Sequence, residues 1–184
     1  MLYSEYKASR DLAWEVLINE QVSELPVSVS AICKSMGIQI KLYEPTDGNS
    51  GESTIIGGQP FIFVKRGDPP NRQRFTAAHE LGHILLGHVG EYELVNREPS
   101  ENDNPIEQAA NVFASRLLAP ACVLWACGYK TAEEISKHCG LSIQSAEFRA
   151  NRMEILYKRN VFLKSPLERT VYSNFEAYIQ NNKL

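Results

Sequence analysis

Along residues 72–87 the apolar positions Phe75, Ala77, Ala78, Leu81, Ile84, Leu85 and Leu86 cover most of a helix circumference rather than one stripe. That pattern predicts a helix buried at the centre of a domain. Residues 4–20 read differently: Tyr6, Arg10, Ala13, Trp14, Leu17 and Ile18 recur at near-helical spacing among Glu5, Lys7, Asp11 and Glu15, as in an amphipathic helix. Between the two, Ser28–Gly37 reads as a short helix closed by a glycine. Ile38–Tyr43 alternates with period two and predicts a strand. After a turn-rich stretch over 44–53, Thr54–Ile56 and Phe61–Val64 are strand candidates around a Gly57-Gly58 turn. Asp68-Pro69-Pro70-Asn71 stops the sheet and starts the central helix. The polar, acidic stretch 88–105 reads as a surface loop, and Ile106–Leu118 as a second strong helix ending near Pro120. Thr131-Ala132-Glu133-Glu134 is a capping box opening a short helix. Gly140 follows it, then a longer helix from Leu141-Ser142 to about Tyr157, and a last one from Leu167 to Tyr178.

The predicted fold class is therefore α+β, with several helices packed on a sheet of about three strands. Two regions are expected: a core domain over 1–125 and a helical C-terminal region over 126–184. The helix, glycine turn and helix at 131–157 have the outline of a helix-turn-helix.

Composition narrows the function. A chain of 184 residues fills one hydrophobic core. Its 43% hydrophobic and 22% charged residues are ordinary for a soluble globular protein. The net charge of -3 argues against a general nucleic-acid binder. No apolar run is expected to reach bilayer-spanning length, and charges stand in Met1–Lys7 where a signal peptide would be apolar. The expected location is the cytoplasm, without a membrane. There Cys33, Cys122, Cys127 and Cys139 are expected as free thiols. Cys122, Cys127, His138 and Cys139 lack the tight cysteine pairs of structural zinc sites.

The chemistry sits in His79-Glu80-Leu81-Gly82-His83. Positions four apart project from nearly the same face of a helix, so both imidazoles can reach one ion. Glu80 is offset by one residue, where it can take a proton from a water activated by the metal without ligating it. A glutamate between two histidines is costly in a buried helix unless it serves a site. Gly82 costs about 1 kcal/mol relative to alanine, and its expected return is room for a close approach beside the histidines.

A catalytic zinc needs a third protein ligand. His88, nine residues after His79, points to the opposite side of an unbroken helix; otherwise it is a helix-end histidine near the negative pole of the dipole. Glu107 is the stronger candidate. Ala110, Asn111 and Ala114 share its helical face, where small residues permit close packing and Asn111 can bond a ligand histidine from behind. The other reading of Glu107 is a carboxylate stabilised at a helix N-terminus. These residues alone leave both readings open.

Arg72-Gln73-Arg74-Phe75-Thr76-Ala77-Ala78-His79-Glu80-Leu81-Gly82-His83, followed in order by Glu107-Gln108-Ala109-Ala110-Asn111-Val112-Phe113-Ala114 and by Leu117-Leu118-Ala119-Pro120, resembles the ImmA/IrrE family of metallo-endopeptidases. The likeness is sharp over 72–120 and extends in organisation over about 5–160. Ala119 stands where the family often has methionine. The resemblance implies a zincin-like fold, Zn2+ as cofactor with Glu107 as third ligand, and a protein substrate. That substrate class is helix-turn-helix transcriptional repressors, cleaved to relieve gene silencing, often in mobile genetic elements.

Competing readings are a catalytically idle zinc-containing binding module, and a DNA-binding regulator in which Arg149 and Arg152 of the C-terminal helices face phosphates. An intact Glu80 favours the peptidase over the idle module, and the acidic balance disfavours direct nucleic-acid binding. Phe61–Val64 is a candidate for aligning substrate by strand addition. Tyr92 and His88 are candidates for stabilising the oxyanion.

Overall fold

The computed structural model describes residues 2–45, 48–90 and 104–184. Among the described residues the elements run α1 (Tyr3–Asn19), α2 (Val29–Ser35), β1 (Gln39–Tyr43), β2 (Gly51–Ile56), β3 (Gln59–Lys65), α3 (Pro70–Leu85), α4 (Pro105–Leu118), α5 (Ala121–Cys127), α6 (Ala132–Cys139), α7 (Ile143–Arg159), α8 (Pro166–Asn174) and α9 (Glu176–Asn182). The fold class is α+β, as the alternation of patterns predicts. Contacts divide the chain into two units, one of Met1–Arg10 with Ser28–Ala114 and one of Asp11–Val27 with Ser115–Leu184.

In the first unit the sheet order is β1-β3-β2, with β1 parallel and β2 antiparallel to β3. Gly57 and Gly58 take φ of 57° and 78°, the positive values that a two-residue hairpin turn requires. Ser28 caps α2 by accepting the Ala31 N–H, and Gly37, at φ 71°, turns the chain into β1. Ile62 and Val64 of β3 are buried, and opposite them in β2 stand Ser53 and Gly51. The strand begins three residues earlier than its β-branched run, because Gly51-Glu52-Ser53 also pairs with β3. Phe61–Val64, the expected substrate-aligning segment, lies in the central strand. It is hydrogen-bonded on both sides and has no edge to offer. Pro70 sits in the first turn of α3, where a missing N–H costs nothing, and Gly87, at φ 73°, follows its end.

In the second unit Thr131 and Glu134 form the expected capping box of α6. The expected helix from Leu167 to Tyr178 is instead two, α8 and α9, broken at the fully buried Phe175. The α5 helix went unread because Pro120 marks a helix end as readily as a start. Arg149 cannot face phosphates. It is 1% exposed, and its Nε and Nη2 donate to the Ala119 carbonyl at 2.8 and 2.6 Å.

One expectation about length needs correction. Pro105–Cys127 is long and apolar enough to cross a bilayer by composition, yet 72% of its apolar window is buried within the protein. Alanine and leucine raise the hydropathy of a core helix as they would a spanning one. All four cysteines are buried free thiols. Burial pushes Cys33 and Cys122 up to about 12, and the nearby Glu168 carboxylate adds to the rise at Cys122.

Candidate metal centre

Helix α3 lays Phe75, His79 and His83 along one stripe, each one turn from the next. The Phe75 ring stacks against His79 with centroids 6.5 Å apart, and the His79 and His83 rings meet edge to face at 4.6 Å. His83 is fully buried. The Nε2 atoms of the two imidazoles lie 3.0 Å apart.

Helix α4 supplies the opposing groups from its first two turns. A Glu107 carboxylate oxygen lies 3.1 Å from His79 Nε2, and the other lies 3.5 Å from His83 Nε2. Of the two readings of Glu107, the geometry favours the one in which its carboxylate faces both imidazoles. Ligand atoms of His79, His83 and Glu107 all lie within 4.8 Å of one another. Asn111, one turn further on, places Oδ1 3.0 Å from His79 Nδ1. So α4 engages both nitrogens of one imidazole through residues four apart.

The approach of α4 to α3 depends on Gly82. A Cβ there would come within 2.9 Å of Cδ1 of Phe113, which is fully buried. The close approach expected beside the histidines is therefore that of an α4 aromatic ring.

His88 is brought to the site, but behind it. Its Nδ1 lies 3.1 Å from Nδ1 of His83, the nitrogen turned away from Glu107. His88 meets His83 from the side opposite Glu107 and is not one of the three groups whose ligand atoms converge. Gly87 redirects the chain so that the two rings meet at 5.1 Å. Tyr92 lies outside the described residues.

The donor set fits a divalent metal. When Nδ1 of His79 donates to Asn111 and Nδ1 of His83 donates to His88, both Nε2 atoms present lone pairs to the Glu107 carboxylate. Such a convergence repels itself unless a cation sits within it. Two imidazole nitrogens and one carboxylate oxygen form a ligand set that suits catalytic zinc.

Glu80 is not one of the three converging groups. It is 2% exposed, and Ser53 Oγ donates to its Oε2 at 2.7 Å. Sequence reasoning missed Ser53 and Gly51, and the only signal was the pair of small residues two apart in Gly51-Glu52-Ser53. A Cβ at Gly51 would collide with the Thr76 side chain and come within 2.9 Å of the Phe63 carbonyl. Glycine there lets β2 lie against the Thr76–Glu80 face of α3.

The Peptidase M78 family model, described as an IrrE N-terminal-like domain, matches residues 33–151, well over half of the chain. No curated protein matches it.

Proposed function

Because this chain belongs to the IrrE N-terminal-like peptidase family, we propose that it is a zinc-dependent endopeptidase of the cytoplasm whose substrate is a helix-turn-helix transcriptional repressor. The observation that carries the reading is the convergence of His79, His83 and Glu107, with Glu80, next to His79 in the chain, buried and bonded to Ser53. Zinc held by the two Nε2 atoms and the Glu107 carboxylate would polarise the scissile carbonyl and bring the pKa of water down towards about 7. The Glu80 carboxylate takes one proton from the attacking water as its oxygen adds to the carbonyl carbon. It then returns that proton to the departing amine nitrogen as the C–N bond breaks, leaving a carboxylic acid and an amine, which exchange the acid's proton to become carboxylate and ammonium at neutral pH. Asn111 and His88 hold the two imidazoles in the tautomer that turns their lone pairs inward.

An extended substrate segment suits the outer edge of β2, which among the described residues pairs only with β3 and carries the Ser53 that bonds Glu80. The repressor as substrate rests on the family resemblance. The DNA-binding alternative loses support, since Arg149 is buried and the family match runs through α6 into α7.

The test compares wild type, Glu80→Gln and Glu107→Ala for zinc per chain by elemental mass spectrometry, and for cleavage of a purified helix-turn-helix repressor. Expected are about one zinc in wild type and Glu80→Gln, clearly less in Glu107→Ala, and cleavage by wild type alone. Zinc-loaded wild type that binds the repressor and leaves it intact, as Glu80→Gln does, would replace the peptidase with a binding module.

A further inference from the structure

We infer that Ser53 is a positioning residue for the general base: through its hydroxyl, strand β2 holds one oxygen of the Glu80 carboxylate and so aims the other. The inference rests on the peptidase reading above, and it names a residue outside the zinc-binding motif.

Glu80 lies on α3 between the two histidines, and a helix turns about 100° per residue. Its stem is therefore directed away from the stripe that carries His79 and His83. The side chain needs something to fix its head, because χ2 and χ3 of a glutamate leave the carboxylate several orientations. Ser53 supplies it: its hydroxyl, 1% exposed, donates to Oε2 at 2.7 Å, the length of a charge-assisted bond. With one oxygen pinned and the stem fixed by α3, the carboxylate plane and the direction of Oε1 follow.

The backbone explains how a hydroxyl reaches this point. Gly51 and Ser53 are two apart in β2, so both face α3. On α3 the facing residues Thr76 and Glu80 are four apart and share a stripe. Gly51 lies over Thr76, where a Cβ would not fit, and that same Cβ would sit 3.5 Å from Glu80 Cγ. The missing side chain at Gly51 brings β2 close enough for the short side chain of Ser53 to reach Oε2. In the β2–β3 register Ser53 stands opposite Ile62, which is fully buried, so the bond forms at the sheet's dry inner face. There the loss of the hydroxyl leaves a buried carboxylate short of a donor.

The test uses full-length chains: wild type, Ser53→Ala, Ser53→Thr and Glu80→Ala, together with the Ser53→Ala/Glu80→Ala double variant. Zinc-loaded proteins are assayed on the purified helix-turn-helix repressor over a range of its concentrations. For Ser53→Ala we expect kcat to fall roughly 10- to 100-fold, with KM within about twofold and zinc per chain unchanged. Ser53→Thr, which keeps the hydroxyl and enlarges the side chain, is expected to recover most of kcat. A purely packing role would give the opposite order.

Metal-free proteins supply a readout independent of activity. In urea denaturation, Ser53→Ala is expected to lower the folding equilibrium constant at least about fivefold more in the Glu80 background than in the Glu80→Ala background. Additive effects in that cycle, or full kcat in Ser53→Ala, would overturn the inference while leaving the peptidase standing. If zinc-loaded wild type cleaves nothing, the peptidase reading fails, and the cycle still decides whether Ser53 holds Glu80.

Discussion

Replacing Gly82 with alanine adds one methyl group at the point where α3 meets α4. The new Cβ would lie 2.9 Å from Phe113 Cδ1, 3.2 Å from its Cγ and 3.3 Å from its Cβ. Carbon atoms settle at about 3.5–4.0 Å, so the ring must retreat by roughly 0.6 Å at its closest point. Phe113 is fully buried, and protein interiors are close-packed, so the backbone of α4 is expected to share the shift. Overpacking of this kind costs about 1–3 kcal/mol, while alanine in place of glycine inside a helix returns about 1 kcal/mol. The net loss of stability is therefore expected between about 0 and 2 kcal/mol, a melting-point decrease of at most roughly 8 °C at this chain length.

The larger effect of that substitution is expected at the metal. Glu107 and Asn111 ride on α4 and hold His79 at 3.1 and 3.0 Å. A shift of a few tenths of an ångström loosens both contacts, and zinc affinity is expected to fall about 10- to 100-fold. The assay pairs thermal denaturation of the metal-free protein with zinc titration against a chromophoric chelator. Phe113→Leu in the same chain relieves the collision and should recover part of the affinity. A variant stabilised by about 1 kcal/mol with unchanged zinc affinity would refute the argument that Gly82 sets the approach of α4.

Three further outcomes are expected. Asn111→Ala and His88→Ala should each weaken zinc binding about 10- to 100-fold in the same titration, whereas Asn111→Asp, which keeps an acceptor for His79 Nδ1, should bind nearly as wild type. Arg149→Met removes the charged bonds to the Ala119 carbonyl and should cost about 2–3 kcal/mol in urea denaturation without changing zinc per chain; a neutral effect would mean the buried guanidinium contributes nothing there. Stability should also fall on acidification. Burial, with Lys137 beside it, holds the His138 pKa below its usual 6.5, so the neutral ring favours the folded state above 6.5 and that contribution is lost as pH falls through the lowered value. Glu134, held below its usual 4.5 by the backbone N–H groups of Thr131 and Lys130, adds a second loss as pH falls through its own lowered pKa. Melting curves from pH 8 to 3 check both, and His138→Gln should flatten the first step.

Much of the fold was legible because it follows from periodicity and punctuation. The Gly57-Gly58 turn needed positive φ at two successive residues, the capping box at Thr131–Glu134 closed its own hydrogen bonds, and Pro70 could stand only at a helix start. Each is a local constraint settled within about five residues. The break at Phe175 and the separate α5 were not legible, since a buried ring interrupts α8 and a proline marks ends and starts alike.

The site divides along the same line. That His79 and His83 can reach one ion follows from 3.6 residues per turn, a property of the chain in isolation. Which carboxylate opposes them does not follow, because a glutamate in the first turn of any helix is stabilised by the dipole whether or not it faces a metal. In the tertiary structure Phe113 packs on Gly82, and on the same helix Glu107 and Asn111 meet His79. The place of His88 was likewise open: spacing alone did not put its Nδ1 against Nδ1 of His83, a contact made where Gly87 bends the chain. Ser53 stands 27 residues before Glu80, and no period links a strand to a helix across that distance. Spacing determines which side chains share a face, but the contact between faces is decided by volume, by where a missing Cβ permits approach and where a ring forbids it.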